Sequence, residues 1–150
     1  MESFHPLMVH FPIALLMAAF LIETLALAGK RPAWHRVALW NLTLGALAAA
    51  AAVWTGRQAM AAAKHSMEIH EIMELHEKLG YVVLSLAALI TGWRLWRRDL
   101  LSVRSRRIAW ALLGIACGIL GFSASLGGRM VYEFGVGGSY GRSGGIEVVK

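Results

Sequence analysis

The sequence contains a single cysteine, Cys117, which excludes a disulfide framework and a CxxC pair. It also lacks the CxxCH motif that attaches c-type haem covalently and the HExxH motif of zinc proteases. Because Cys117 lies within a long apolar run, we interpret it as a small buried side chain. Nothing in the sequence resembles a hydrolase, and we expect an electron carrier or an anchor rather than a stand-alone enzyme.

Charged residues are scarce as well. They make up 16% of the sequence, against 57% hydrophobic residues, and the mean hydropathy is +0.56. This composition is too apolar for an ordinary soluble domain of 150 residues. Four segments are long enough to cross a bilayer, near residues 7–29, 37–55, 79–96 and 108–128. Their connections are short, so the sequence predicts an all-α fold, a four-transmembrane-helix antiparallel bundle.

Acidic residues are outnumbered by basic ones, which gives a net charge of +6. The basic residues concentrate in the first and third connections, which therefore face the cytoplasm by the positive-inside rule. Both termini are then extracytoplasmic, and the expected location is the bacterial inner membrane. The basic residues of these two connections account for the positive net charge, so a nucleic-acid partner is not indicated. We assign residues 1–134 to the transmembrane domain and 135–150 to a flexible, glycine-rich extracytoplasmic tail.

No basic n-region precedes the first apolar run and no small-residue cleavage site follows it, so we expect the first span to be retained. With this topology most histidines and methionines fall near the extracytoplasmic edge. Imidazole and thioether groups are the side chains that bind haem iron and copper. The clustered residues are His5, His10, His65, His70 and His76, with Met8, Met60, Met67, Met73 and Met130. The sixth histidine, His35, is predicted to have a plain interfacial role.

A b-type haem between the first and third spans is the leading hypothesis for this edge. His10 lies about one turn inside the first span, and His76 precedes the third apolar run by about one turn. Histidines on two facing helices at similar depth can hold iron from both sides. Arg57 and Arg129 flank the same edge, where haem propionates need cations. This hypothesis predicts an electron-transfer subunit with a redox partner protein or larger complex, and quinone as a candidate partner.

Three alternatives stay open. His10 can instead simply hydrogen-bond a neighbouring helix or a water. Copper binding or handling would use the histidine and methionine edge, with His5 and His70 joining His10 and His76 as candidate metal ligands. A cofactor-free anchor would dock a larger complex through the outer loop and the glycine-rich tail. Haem requires His10 and His76, copper also requires the methionines, and a pure anchor requires no single histidine.

Two charged residues are predicted to lie deep within the spans. Glu23 lies far along the first span from His10, and Arg94 lies near the cytoplasmic end of the third. An intramembrane acid needs a partner, so we predict that Glu23 pairs with Arg94, with Asn41 or His35 nearby in depth. A structural clamp is the favoured role, and a proton route is the alternative.

Three motifs together resemble a widespread family of bacterial membrane proteins catalogued as a domain of unknown function. These are the N-terminal HPLMVHFPIALL, the histidine that opens the third helix, and GGRMVYEFGVG at the end of the fourth. The resemblance covers nearly the whole chain and implies four spans. Some relatives are joined to c-type cytochrome domains, which implies an extracytoplasmic redox setting for five residues of this edge. The residues it concerns are His5, His10, His76, Arg129 and Tyr132.

Overall fold

The computed structural model describes residues 4–29, 31–62, 67–98 and 100–134. These residues form helices and contain no strand, which confirms the predicted all-α class. The helices are α1 (His5–Met8), α2 (His10–Gly29), α3 (Pro32–Ala62), α4 (Met67–Trp96) and α5 (Val103–Tyr132). His65 and the predicted tail, 135–150, lie outside the described residues.

A short break at Val9 separates α1 from α2. Pro12 has no N–H to donate to the carbonyl of Met8, so one rung of the helical ladder is missing there. Val9 keeps helical dihedral angles (φ −66°, ψ −22°), and its N–H donates to the His5 carbonyl over 3.1 Å. The chain therefore runs through the break as a single apolar segment from His5 to Gly29 that is long enough to span a membrane.

Long-range contacts show that consecutive helices are antiparallel. Along α2 and α3, Gly45 packs on Leu16 near mid-length, and His35 meets Glu23 where the two helices join. Helix α5 also runs antiparallel to α2. The Cys117 thiol donates a hydrogen bond to the carbonyl of Leu16, whereas Trp110, nearer the start of α5, donates to Thr24, nearer the end of α2. Helices α2 and α4 each pack against α3 and α5, which closes a four-helix bundle.

The bundle has two ends, which we name by their polar residues. The histidine end carries His5 and His76, where α1 and α4 begin and where α3 and α5 finish. The arginine end carries Arg94 and Arg106, where α2 and α4 finish and where α3 and α5 begin.

The helices extend well beyond the predicted spans. Helices α3, α4 and α5 contain 31, 30 and 30 residues, which corresponds to about 45 Å each. Hydropathy identifies only the apolar part of a helix, whereas the backbone hydrogen bonds of the helix continue through the polar residues at its ends. The stretch from Glu68 to Lys78 shows this, because it forms the first turns of α4.

The core is built from small and aliphatic side chains. Leu16, Leu42 and Leu113 are essentially inaccessible, and Cys117 is buried as predicted. Close helix approach depends on glycine at one core position in particular: a Cβ atom on Gly45 would lie 2.7 Å from Leu16 Cδ2. Large apolar side chains cover the outside, as lipid contact requires. They include Leu21, Trp40, Leu47, Trp54, Leu89 and Trp96.

Candidate functional site

Two histidine rings from different helices meet at the histidine end. The rings of His5, on α1, and His76, on α4, have centroids 6.2 Å apart and planes inclined by 80°. Both residues are partly buried between the helices. Imidazole is costly to place inside a membrane bundle unless it has partners, so the surroundings of each ring define what this pair can do.

His76 is fixed by a backbone carbonyl of α5. Its Nδ1 atom lies 2.9 Å from the carbonyl oxygen of Ser123 and 3.0 Å from the Ser123 hydroxyl. A carbonyl oxygen only accepts, so the proton lies on Nδ1 and His76 is the donor. The neutral ring therefore has its free electron pair on Nε2. This is the usual arrangement of a metal-binding histidine, whose second nitrogen donates to a carbonyl.

His5 is held in a similar way by α3. Its Nδ1 atom lies 3.3 Å from the hydroxyl oxygen of Thr55. That hydroxyl directs its own hydrogen at the carbonyls of Ala51 and Ala52, 3.0 and 3.1 Å away. The Thr55 oxygen therefore accepts from the ring Nδ1–H, and His5 has a further hydrogen bond to the backbone of Ala52.

Glycine lets the remaining helices come close to both rings. A Cβ atom on Gly56 would lie 2.9 Å from His5 Cε1, and one on Gly127 would lie 3.4 Å from His76 Cε1. All four long segments thus contribute to this site, through the two histidines, Thr55 with Gly56, and Ser123 with Gly127. We call these six residues the His5–His76 site.

His10 does not take part in this ring contact. Its side chain is exposed, and its Nδ1–H donates to the carbonyl of Pro6 over 2.7 Å. Positions 5 and 10 are about 140° apart around a helix, so one faces inward while the other faces out. Among the described residues, the histidine ring that meets His76 is that of His5. Haem binding by His10 together with His76 stays a prediction.

The other predicted site residues lie on the surface of the same end. His70 is exposed. Arg57 lies 3.8 Å from a carboxylate oxygen of Glu77. Arg129 donates to Glu133 over 3.2 Å, as the i,i+4 spacing of the two residues allows. Their proposed roles toward a cofactor stay predictions.

The side-chain atoms at this end that could bind a metal are histidine nitrogens and methionine sulfurs. Within the described ranges, no three His, Cys, Asp or Glu side chains lie close enough together to hold a metal ion. Met73 and Met130 are buried at this end, 4% and 9% exposed. Met73 precedes His76 by about one helical turn, and Met130 follows Gly127 by about one turn, so both methionines lie within one turn of residues of the His5–His76 site.

A second polar cluster occupies the arginine end. Glu23 is fully buried, and Arg94, only 1% exposed, donates from Nη1 to its Oε2 over 3.1 Å. Arg94 also donates from Nη2 to the carbonyl of His35 over 2.9 Å. The predicted pair is confirmed, and one guanidinium joins α2, α3 and α4. Because the charges are paired and hydrogen-bonded, the cluster acts as a clamp between the helices.

His35 belongs to this cluster, and the plain interfacial role predicted for it was wrong. Its Nδ1–H donates to Glu23 Oε1 over 2.9 Å, and its side chain is only 12% exposed. The reason is the short α2–α3 connection, which returns the first turn of α3 to the last turns of α2. Arg106 on α5 lies 4.0 Å from the same oxygen, so all four helices meet here too. Asn41 instead donates to the carbonyl of Val37.

Comparison with known proteins places the chain in a family through its sequence. No curated protein and no solved structure matches it. The four helices that are long and apolar enough to cross a membrane agree with a multi-pass membrane protein. The family described as predicted membrane protein (DUF2231) matches residues 2–139 of the 150, and this chain therefore belongs to that family of membrane proteins.

Proposed function

We propose that this protein is a membrane subunit for electron transfer that binds a b-type haem through His5 and His76. The observation that carries the proposal is the convergence of these two rings with both Nδ1 atoms engaged by neighbouring helices. His76 then has Nε2 as the nitrogen that can bind a metal. A histidine held in this way is preorganised as a ligand rather than as a simple packing residue.

The spacing of the rings agrees with this use. An imidazole nitrogen bound to a metal lies about 2 Å from it, which places the ring centroid about 3 Å away. Two imidazoles that bind the same metal ion would therefore have centroids within about 6 Å of each other. The His5 and His76 centroids are 6.2 Å apart.

The neighbours of the rings support the same role. Haem b, when bound, would supply a one-electron couple. Thr55 and the Ser123 carbonyl fix the orientation of the two imidazoles. Gly56 and Gly127 have no Cβ atom, which lets the two rings pack directly against α3 and α5. The electron partner would be a redox protein or larger complex at the histidine end, or quinone from the bilayer.

The charge distribution supports an orientation in the bacterial inner membrane. Exposed arginines crowd the arginine end, which the positive-inside rule assigns to the cytoplasm. The histidine end and both termini would then be extracytoplasmic. The exposed arginines of that end are Arg31, Arg36, Arg97, Arg98, Arg104 and Arg107.

Copper is the second candidate, and the buried thioethers of Met73 and Met130 favour it. Methionine sulfur and imidazole nitrogen together suit copper, and both methionines lie within one turn of the ring pair or its glycine. In this case the two histidines would serve a metal ion directly, and the methionines would complete the ligand set.

The test is an absorption spectrum of the detergent-purified protein, oxidised and then dithionite-reduced, with iron and copper analysis of the same sample. A sharp reduced α-band with one iron per chain is the expected result. His5→Ala and His76→Ala should each abolish the band, whereas the matched surface variants His10→Ala and His70→Ala should keep it. Circular dichroism of each variant verifies that the helices are intact.

The other outcomes discriminate between the alternatives. Loss of the band in His10→Ala but not in His5→Ala would overturn the proposed ligand pair. A colourless protein with stoichiometric copper, lost in Met73→Leu, would replace haem by copper. A colourless and metal-free protein, expressed with haem available, would leave a cofactor-free anchor.

A further inference from the structure

A groove on the lipid-facing surface runs between α2 and α5 at the arginine end. Its volume is about 350 Å³. It is lined by Thr24, Leu27 and Ala28 of α2 and by Val103, Arg107 and Trp110 of α5. It is separate from the His5–His76 site, which lies at the opposite end of the bundle.

The wall of the groove is apolar and preformed. Trp110 Nε1–H donates to the Thr24 hydroxyl over 2.8 Å, and that hydroxyl donates to the carbonyl of Phe20 over 2.7 Å. The Trp110 ring also stacks on the Phe20 ring, with centroids 5.7 Å apart and planes inclined by 13°. The polar side-chain atoms of Thr24 and Trp110 are therefore already paired, and the apolar surface between them suits a hydrocarbon chain.

One of the residues that line this apolar groove, Arg107, is positively charged. Arg107 is exposed, and in the part of the chain that the structure describes it makes no hydrogen bond or ion pair. Arg104, one turn earlier on α5, is exposed as well. Residues three apart share a helix face, so Arg104 adds a second cation to the face of α5 that carries Arg107, although Arg104 does not line the groove.

The described acidic side chain of this end does not compete for these two arginines. Among the described residues of the arginine end, the one carboxylate is that of Glu23, which is fully buried and already bound to Arg94 and His35. The described residues of this surface therefore carry a net positive charge beside an apolar groove. Phosphate is the anion that a bilayer presents at this level, and guanidinium recognises it with directed hydrogen bonds.

We propose that this groove binds an anionic phospholipid. One acyl chain would lie against Leu27, Ala28 and Trp110, and the headgroup phosphate would meet Arg107. The proposal does not depend on the haem assignment, because it concerns the other end of the molecule and a different pair of helices.

Native mass spectrometry of the full-length, delipidated protein tests this site. The protein is titrated in detergent with phosphatidylglycerol and, separately, with phosphatidylcholine. We expect preferential retention of phosphatidylglycerol, which Arg107→Gln should weaken about fivefold. Arg36→Gln is the matched control, because Arg36 is an exposed arginine of the same end that does not line the groove. Ala28→Phe should also weaken binding by filling the groove without changing the charge.

Equal retention of both lipids by the unmodified protein would overturn the proposal. So would equal losses in Arg107→Gln and Arg36→Gln, because the attraction would then be a general property of the basic end. Unchanged phosphatidylglycerol binding in Ala28→Phe would overturn the assignment of the acyl chain to the groove. A circular dichroism spectrum for each variant separates these results from misfolding.

Discussion

Arg94 on α4 donates a hydrogen bond to Glu23 on α2, although the two residues are 71 positions apart in the sequence. The same guanidinium donates to the carbonyl of His35 at the start of α3. The pair therefore ties three helices together in a region from which water is excluded, and its disruption has consequences that can be measured.

Replacing Glu23 by Gln should destabilise the bundle. The substitution removes the negative charge and leaves the buried Arg94 without its counterion, which typically costs about 3–5 kcal/mol. Thermal unfolding in detergent, followed by tryptophan fluorescence, measures the loss. The matched control is Glu133→Gln, which breaks an exposed pair with Arg129 and should cost less than about 1 kcal/mol. Similar losses for the two variants would contradict a clamp at Glu23.

Arg94→Lys should also destabilise the protein, although the charge is kept. Arg94 uses two different nitrogen atoms for Glu23 and for the His35 carbonyl. One ammonium group on a flexible stem cannot reproduce this fork, and a buried acceptor left unpaired costs about 1–3 kcal/mol. The same unfolding assay applies. A stability equal to that of the unmodified protein would mean that a positive charge at position 94 is sufficient and that the two separate hydrogen bonds of the guanidinium group do not contribute.

Replacing glycine by alanine should have opposite effects on stability at two positions of the bundle. Gly45→Ala would place a methyl group 2.7 Å from Leu16 Cδ2, and Leu16 is fully buried, so overpacking should cost about 1–3 kcal/mol. Gly118→Ala should be neutral or stabilising, because no atom lies within 4 Å of the new group and alanine favours the helix. Unfolding temperatures of the two variants, measured side by side, give the comparison. A tolerated Gly45→Ala would show that α2 and α3 can separate without loss.

Gly56→Ala should disturb the His5–His76 site while leaving the fold intact. The new methyl group would lie 2.9 Å from His5 Cε1 at the surface-accessible end of the bundle, so the ring must move. Under the proposed function this lowers haem retention and shifts the reduced α-band. Gly80→Ala is the control, since its methyl group would make only an ordinary contact, 3.6 Å from Val53 Cγ2. Identical spectra for both variants would indicate that His5 is not an iron ligand.

The sequence predicted the interactions that hydropathy and helical spacing determine. The four spans follow from composition, because a bilayer accepts backbone only as long apolar helices or barrels. The Arg129–Glu133 pair follows from i,i+4 spacing within one helix. The Glu23–Arg94 pair was predicted because a buried acid needs a cation at the same depth, and Arg94 is the basic residue at that depth on the third span.

The rotation of each helix about its axis was decided only by the tertiary structure. The sequence gives the depth of His5, His10 and His76, but depth does not tell which face of a helix points inward. Packing of α2 against α3 and α5, around Leu16 and Gly45, turns His5 toward His76 and leaves His10 exposed.

The participation of His35 in the buried cluster has the same origin. The short α2–α3 connection brings the start of α3 close enough to α2 for His35 to reach Glu23. The residue pattern of one helix does not contain this distance between two helices. The sequence by itself therefore determined the class of fold, the depth of each polar side chain and one buried ion pair. The three-dimensional packing decided which histidines meet, because many side-chain contacts together fix the rotation of each helix in the bundle.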